Sequence, residues 1–534
     1  MRIRHPRQAR RCAALALSAL TLAACGSTVK VGGAGAPVGS TGDGAVLAEG
    51  GVEPGLDAGS LVVPGGPALP GSAESTGSAG GGSSGSSGSS SGGTSGGAGG
   101  SSGGSGGRTS GGSTGSSAGG GSTAPGPGIT STKIFIGAPW NSDADAGNAA
   151  LGVTEANSGD ERDYWAAVLE DLNSRGGILG RKMEVVFAEY RAASNEPAEA
   201  QDQAACDKWT KDNKVFAVYG GGSDIMLECT RKAGVLATSG GSATGPVYRK
   251  YPQLVDVSGI RFERLGQVSV DGLAKSGYFK PDPRWPTGKV GFVSWDTADS
   301  RYAFEHGYVP ALKRQGITMN SDNTAWIAEP ATVNALGDAS AAISSAVLRF
   351  QSQDIDHVFL QDGPAGVFRG GGLTILFLRT AESQSYRPRY GFNANNFPGD
   401  PNLPPEQQSG MLAVDYADYE PAKDEGIGLN QQRERCFAIM KAKGLSVADP
   451  QKMATAAGMC GFTWFLETLL KRAATPTLTG VIRAAEGLGT SFHSPSVYGT
   501  RLGPGRHDGV ELVRAARFDD DCDCMKYTTK PYVP

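Results

Sequence analysis

The chain has 534 residues, of which 49 are basic and 53 acidic, a formal net charge of −4, and 81 glycines. An acidic balance argues against nucleic acid as a partner, because a phosphate backbone calls for a basic face. The length exceeds one ordinary domain, and past the first 24 residues there is no apolar run long enough to span a bilayer.

The first segment is expected to be a leader. Arg2, Arg4, Arg7, Arg10 and Arg11 form a basic stretch, and Ala13 to Leu22 is an apolar stretch shorter than the ~20 residues a spanning helix needs. Leu22-Ala23-Ala24-Cys25 then reads as a lipobox. This resembles the signal of a bacterial lipoprotein, and the resemblance implies cleavage after residue 24 and acylation of Cys25, an anchor in the membrane. Five of the 49 basic residues lie in the leader, which leaves 44 against 53 acidic. Residues 25–128 are read as a disordered tether, because GGGSSGSSGSSSGGTSGGAGGSSGGSGG has almost no apolar side chains to offset ordering entropy. A Gly/Ser coil of this length has an r.m.s. span of roughly 50–60 Å.

The folded part begins near residue 129. Lys133–Gly137 reads as a short apolar strand. Trp165, Val168, Leu169 and Leu172 recur at helical spacing, Gly176-Gly177 stops that helix, and Met183, Val185 and Phe187 alternate as a strand. Strand, helix, strand in this order is a βαβ unit. The rhythm continues with a helix over 199–211, a strand over 215–219 ending in Gly220-Gly221-Gly222-Ser223, a helix over 224–233 and a strand over 235–238 ending in Ser239-Gly240-Gly241. It restarts after Ser258 with a helix over 261–276 and a strand over 289–294. Helices are then expected up to Gly316, over 339–351 and over 373–380, with strands over 357–360 and 389–392. A crossing strand in GMLAVDYADYEP and helices over 431–443 and 453–472 follow. Two successive α/β halves predict two similar Rossmann-like lobes, with ligand loops beyond the carboxyl ends of the strands.

Cysteine usage points the same way. After Cys12 in the leader and Cys25, six remain: Cys206, Cys229, Cys436, Cys460, Cys522 and Cys524. An even number outside the cytoplasm suggests disulfides, with 15 possible connectivities. Proximity favours Cys206–Cys229, Cys436–Cys460 and Cys522–Cys524. The rival is a metal site at Cys522-Asp523-Cys524, which has no second Cys/His pair near it in sequence.

The run Asn173-x-x-Gly176-Gly177-Ile178-Leu179-Gly180-Arg181, between a helix and a strand, resembles the type I periplasmic binding fold, and within it the branched-chain amino acid (Leu/Ile/Val) substrate-binding proteins of ABC importers. Gly222-Ser223 after a strand, Ser239-Gly240-Gly241 after another, Asp299-Ser-Arg-Tyr302 opening a helix and Asp362-Gly363 before a helix agree in order. The resemblance implies an α/β receptor of two lobes joined by three hinge crossings. The first lobe would take residues 129–257 and 425–490, the second 258–424 and 491–534. It also implies a disulfide between Cys206 and Cys229, a small-molecule solute, an ABC permease as membrane partner, a monomer, an extracytoplasmic location and no cofactor. The ligand positions it implies are Trp140, Gly222, Ser223, Ser239, Gly240, Thr244, Tyr302, Asp362 and Asn393, the last in the loop Asn393–Asn395. Hydroxyls and Gly-loop N–H groups suit a carboxylate, and Trp140 and Tyr302 would close on an apolar side chain.

Two departures bear on the solute. The family's amino acid receptors place an acid on the second lobe to meet the ligand ammonium, whereas Gly391-Phe-Asn-Ala-Asn-Asn396 has none, which leaves Asp362 or Asp299 for that role. Tyr302-Ala303 replaces the more usual Tyr-Gly. Amides, aromatic acids and other small polar solutes stand beside amino acids as expectations. Plain structural roles compete at each position: Trp140 and Tyr302 as packing residues, Ser223 and Ser239 as helix caps. The glycine runs Gly220–Gly222 and Gly370–Gly372 lack a following Lys-Ser/Thr, so a P-loop is not expected. An enzyme is not expected either, because His306, His357, His493 and His507 show no HExxH spacing. A tethered ligand sensor of the same fold, without transport, is the alternative function.

Overall fold

The computed structural model describes residues 125–150, 159–239, 241–363, 372–417, 430–448 and 450–534. The leader, Cys25, nearly all of the expected tether, Gly240, Gly370 and Gly371 lie outside the described residues.

The first sheet has four parallel strands: β1 (Lys133–Asn141), β2 (Lys182–Tyr190), β3 (Ala217–Val218) and β4 (Leu236–Ala237), in the order β2-β1-β3-β4. The helix Glu161–Ser174 connects β1 to β2. Asp160 caps it by accepting the Arg162 N–H, which relieves one of the orphan donors of the first turn. Trp165, Val168 and Leu172 bury their stripe in the core, with Leu169 half-buried beside them. The Gly176-Gly177 stop has a steric reason. Gly177 sits at φ 67°, and a Cβ there would lie 2.0 Å from the Arg181 carbonyl oxygen. Ile178 and Arg181 close the turn as an isolated bridge, after which β2 begins.

The second sheet has seven strands: β5 (Val290–Trp295), β6 (Thr324–Ile327), β7 (His357–Gln361), β8 (Arg389–Asn393), β9 (Leu412–Asp415), β10 (Arg514–Asp519) and β11 (Cys524–Tyr527). Their order is β11-β10-β9-β8-β7-β5-β6. The run from β6 to β9 is parallel, while β10 pairs antiparallel with both β9 and β11. Every residue of β5, β7 and β9 is buried, as parallel strands covered on both faces should be. The strands β6, β10 and β11 and the helices Gly245–Lys250 and Leu478–Glu486 did not stand out in the sequence. Thr324-Ala-Trp-Ile is too short to show a period, and β10 needs β9, about a hundred residues away, to define it.

The two lobes have separate cores, and the chain passes between them three times. Val255 and Val257 pack in the first core, Ile260 and Phe262 in the second. Tyr416 and Ala417 belong to the second, whereas Cys436 and Phe437, on the helix Gln431–Ala442, are back in the first. The third passage is a woven stretch: Leu488, Phe492 and Leu502 pack in the first core, Val497, Val510 and Val513 in the second. Bridges Asp256↔Asp508 and Ala417↔Val497 tie the passages to one another.

Three disulfides form, Cys206–Cys229, Cys436–Cys460 and Cys522–Cys524, the pairs that proximity favours. No cluster of metal-ligating side chains occurs among the described residues.

Candidate functional site

A cavity of about 410 Å³ lies where the lobes meet. It falls within the size range of small-molecule sites. The first lobe supplies Tyr219, Thr238, Ser239 and Gly241, together with one face of the helix Pro450–Arg472. The second supplies Gly363, Ala394, Asn395 and Phe397. Each of the three passages contributes: Asp256 to Ser258 from the first, Tyr416 from the second, Ser496 from the third. Tyr219, Thr238, Ala394 and Tyr416 follow directly on the carboxyl ends of strands, and Gly363 lies one residue further on, as the rule for open parallel sheets requires.

Small residues at helical spacing open the helix Pro450–Arg472 to this cavity. Ala454, Gly458 and Phe462 are four residues apart on one face. A Cβ on Gly458 would stand 2.4 Å from the Tyr219 hydroxyl, so glycine there lets the tyrosine ring approach the helix. Tyr219 meets Phe462 edge to face with ring centroids 5.5 Å apart, and meets Trp165 at 5.4 Å. Tyr219 and Phe462, with Phe397, Tyr416 and Phe465, give the described lining five aromatic rings.

Asp256 brings the one carboxylate of the described lining. It is buried, and its oxygens accept from the Ser239 N–H at 2.6 Å, the Ser239 hydroxyl, and the Tyr248 hydroxyl at 3.0 Å. Burial pushes the Tyr248 hydroxyl pKa well up, with the Asp256 charge adding to it, so this phenol stays a donor. Among the described residues no lysine, arginine or histidine lines the cavity.

On the second lobe a relay of hydrogen bonds shapes the turn after β8. Buried Asp362 accepts from the Thr374 N–H at 3.0 Å and the Thr374 hydroxyl at 2.9 Å. The Asn396 amide donates to Thr374 Oγ1 at 3.0 Å, and its oxygen accepts from the Asn393 N–H. Asn393 Oδ1 in turn accepts from the Asn395 N–H at 2.9 Å. The result presents Asn395 to the cavity, with its Oδ1 held by the Tyr416 hydroxyl at 2.7 Å. Burial raises the Asp362 carboxyl to about 6, against the lowering effect of the Thr374 donors.

The residues singled out in the sequence take different places. Ser239 lines the cavity, and Gly222 packs under it, where a Cβ would lie 2.8 Å from Ser239 Cβ. Ser223 caps the helix Asp224–Ala233 by accepting the Met226 N–H. Asp362 and Asn393 are the supports just described and do not touch the cavity. Thr244 donates across the cleft to Asp299 at 2.9 Å, and burial raises the Asp299 carboxyl. Asn195 and Asn334 make a second contact from lobe to lobe. Trp140 lies outside the lining, with the Arg162 guanidinium 3.9 Å over its ring. Tyr302, also outside, stacks on His306 with centroids 4.0 Å apart. Asp256, Tyr416, Ser496 and the helix face at Ala454 to Phe462 were missed. A carboxylate between Val255 and Val257 in an apolar run is a signal that could have found the first of these.

A family model described as periplasmic binding protein matches residues 152–523. Solved structures share the fold at low identity. A solute-binding protein of an ABC transporter from R. palustris, in complex with 4-hydroxybenzoate, aligns with a TM-score of 0.55 at 13% identity, covering 75% of this chain and 97% of that one. A fatty acid ABC transporter substrate-binding protein from Thermomonospora curvata aligns at 0.54 and 16%, covering 77% and 95%. A possible leucine/isoleucine/valine-binding protein from Rhodopirellula baltica SH 1 aligns at 0.52 and 14%, covering 74% and 96%. A search of curated proteins finds no match.

Proposed function

The chain belongs to the periplasmic binding protein family, and from that premise we propose that it is the solute receptor of an ABC importer, held outside the cytoplasmic membrane by acylated Cys25 and a long Gly/Ser tether. The observation that carries this reading is the cavity itself, lined by both lobes and by all three passages between them. A solute seated there touches both lobes at once. It therefore favours the closed arrangement by its differential affinity for it, and the closed form is what docks on a permease.

The solute class follows from the walls. Tyr219, Phe397, Tyr416, Phe462 and Phe465 suit a flat or branched apolar body, and Thr238, Ser239, Ser258, Asn395, Ser496 and the Gly241 backbone bring polar groups for a head. Of the proteins of this fold named above, one holds 4-hydroxybenzoate, one is a fatty acid receptor and one is a possible receptor for leucine, isoleucine and valine. All three kinds of solute join a carboxylate to an apolar body, and the apolar body is the part these walls match.

Thermal unfolding and small-angle scattering test this reading together. A solute that binds only the native state adds about 2.7 kcal/mol at 100 times its dissociation constant, and closure lowers the radius of gyration. A rise in melting temperature with no change in scattering would remove lobe closure and favour a tethered sensor. No response from either measurement to any small amphipathic solute would remove the receptor reading.

A further inference from the structure

We infer that the solute carries no net charge and no charged head group, and that it is a small amide-type molecule on an aromatic or branched body, read by Asn395 and Ser496. The inference rests on the receptor reading above and narrows it.

The charge inventory of the cavity is the starting point. Among the described residues the second lobe offers Gly363, Ala394, Asn395 and Phe397, none of them ionisable, and the first lobe offers no cation. Among the described lining residues, a carboxylate entering this space would lose its hydration and meet only neutral donors, under the field of Asp256. An ammonium would need a carboxylate with a free face. Asp256 is the one described, and its two oxygens already accept three donors from Ser239 and Tyr248. Burying either charge therefore lacks the pairing that offsets desolvation.

Two polar atoms are left over for a neutral head. Asn395 Nδ2 is buried with no partner among the described residues, while its Oδ1 is held by Tyr416. Ser496, 3% exposed, has a buried hydroxyl with no partner among the described residues, although its backbone N–H donates to Ser494 Oγ at 3.1 Å. Both residues line the cavity, one from the second lobe and one from the third passage. Unmet buried polar atoms are costly, and two of them on residues that line one cavity mark where a ligand's own polar atoms belong. The amide donor fits a carbonyl oxygen. The hydroxyl, which both gives and takes, fits the N–H side of the same amide. The turn that aims Asn395 is held by the Asp362–Thr374–Asn396–Asn393 relay, so the donor is fixed before any ligand arrives.

The test uses molecules with one body and four heads. Calorimetry on the purified protein compares 3-phenylpropanamide (neutral), 3-phenylpropanoate (anion), 3-phenylpropylamine (cation) and phenylalanine (zwitterion). The same four heads on an isobutyl body repeat the series. The amide is expected to bind about tenfold or more tighter than any charged member of its series, with an affinity insensitive to salt. A charged member that binds more tightly than its amide overturns the inference and leaves the receptor standing. Silence from all eight molecules, with scattering unmoved, overturns the receptor and the inference together. A second measurement isolates the residue. Asn395→Asp keeps the acceptor for Tyr416 and replaces the facing donor by a charge. It should weaken the amide about tenfold and strengthen the amine. An unchanged ratio of amide to amine affinity in this variant, with the fold intact by circular dichroism, overturns the role of Asn395.

Discussion

The two lobes solve the same packing problem with different means. The first has four parallel strands, two of them only two residues long by their hydrogen bonding. The second has seven strands and extends its sheet with an antiparallel hairpin. The smaller sheet is the one with covalent ties: Cys206–Cys229 and Cys436–Cys460 both lie in the first lobe. The second lobe has the short Cys522–Cys524 link at the β10–β11 turn. A lobe with short ladders gains less from its sheet, and a cross-link limits the entropy of its unfolded chain. The same division appears at the cavity, where the first lobe brings most of the rings and the second brings a turn set by hydrogen bonds.

The comparison breaks first at the disulfides. Removing Cys436–Cys460 as a double alanine variant should destabilise the first lobe by about 3.5 kcal/mol, the entropy of a loop of that length, against about 1.5 kcal/mol for opening Cys522–Cys524. Urea unfolding followed by tryptophan fluorescence measures both, and equal losses would deny the first lobe its special dependence on cross-links.

The second lobe has its own weak point in Asp362. Its folded pKa of about 6 lies above the unfolded carboxyl near 3.8 because it is buried. The folded state therefore holds the extra proton between those values, and stability falls as pH rises through that window. Asp362→Asn should remove this loss. The variant gains at most about 3 kcal/mol relative to the parent at pH 7, and the gain vanishes below pH 4. Denaturant melts from pH 4 to 7 follow the difference, and a flat difference would place the charge elsewhere.

The link between lobes is a smaller effect. Thr244→Val deletes the bond to Asp299 across the cleft, a loss of about 1 kcal/mol for the closed arrangement. Solute affinity should weaken about fivefold while the melting temperature of the free protein hardly moves. Titration calorimetry separates the two. The smallest effect is expected at Trp140. Packed under Arg162 and outside the cavity, it should leave solute affinity within about twofold when replaced by alanine, because distant sites act independently.

Much of the architecture could be read from order alone. Helical and alternating periods are local, and the Gly176-Gly177 stop is dictated by its own backbone, so the βαβ rhythm and the family resemblance were visible from the chain. Cysteine spacing narrowed the disulfides for the same reason, since the two larger loops span 23 and 24 positions. The cavity was legible only in part. Ser239 and the loop through Asn395 were within reach because they follow strands directly. Asp256 and Tyr416 were not, because their roles depend on passages that enter the cleft from segments far apart in the chain. The face at Ala454, Gly458 and Phe462 reads in isolation as ordinary helix. It becomes a cavity wall only when Tyr219, more than two hundred residues earlier, packs against it. The sequence by itself determined most of the elements and the acidic character and narrowed the cross-links, because those rest on short-range chemistry. Which polar atoms of the cavity's residues remain without a partner among the described residues, Asn395 Nδ2 and Ser496 Oγ, was decided by tertiary structure alone, since pairing depends on every neighbour that folding brings near.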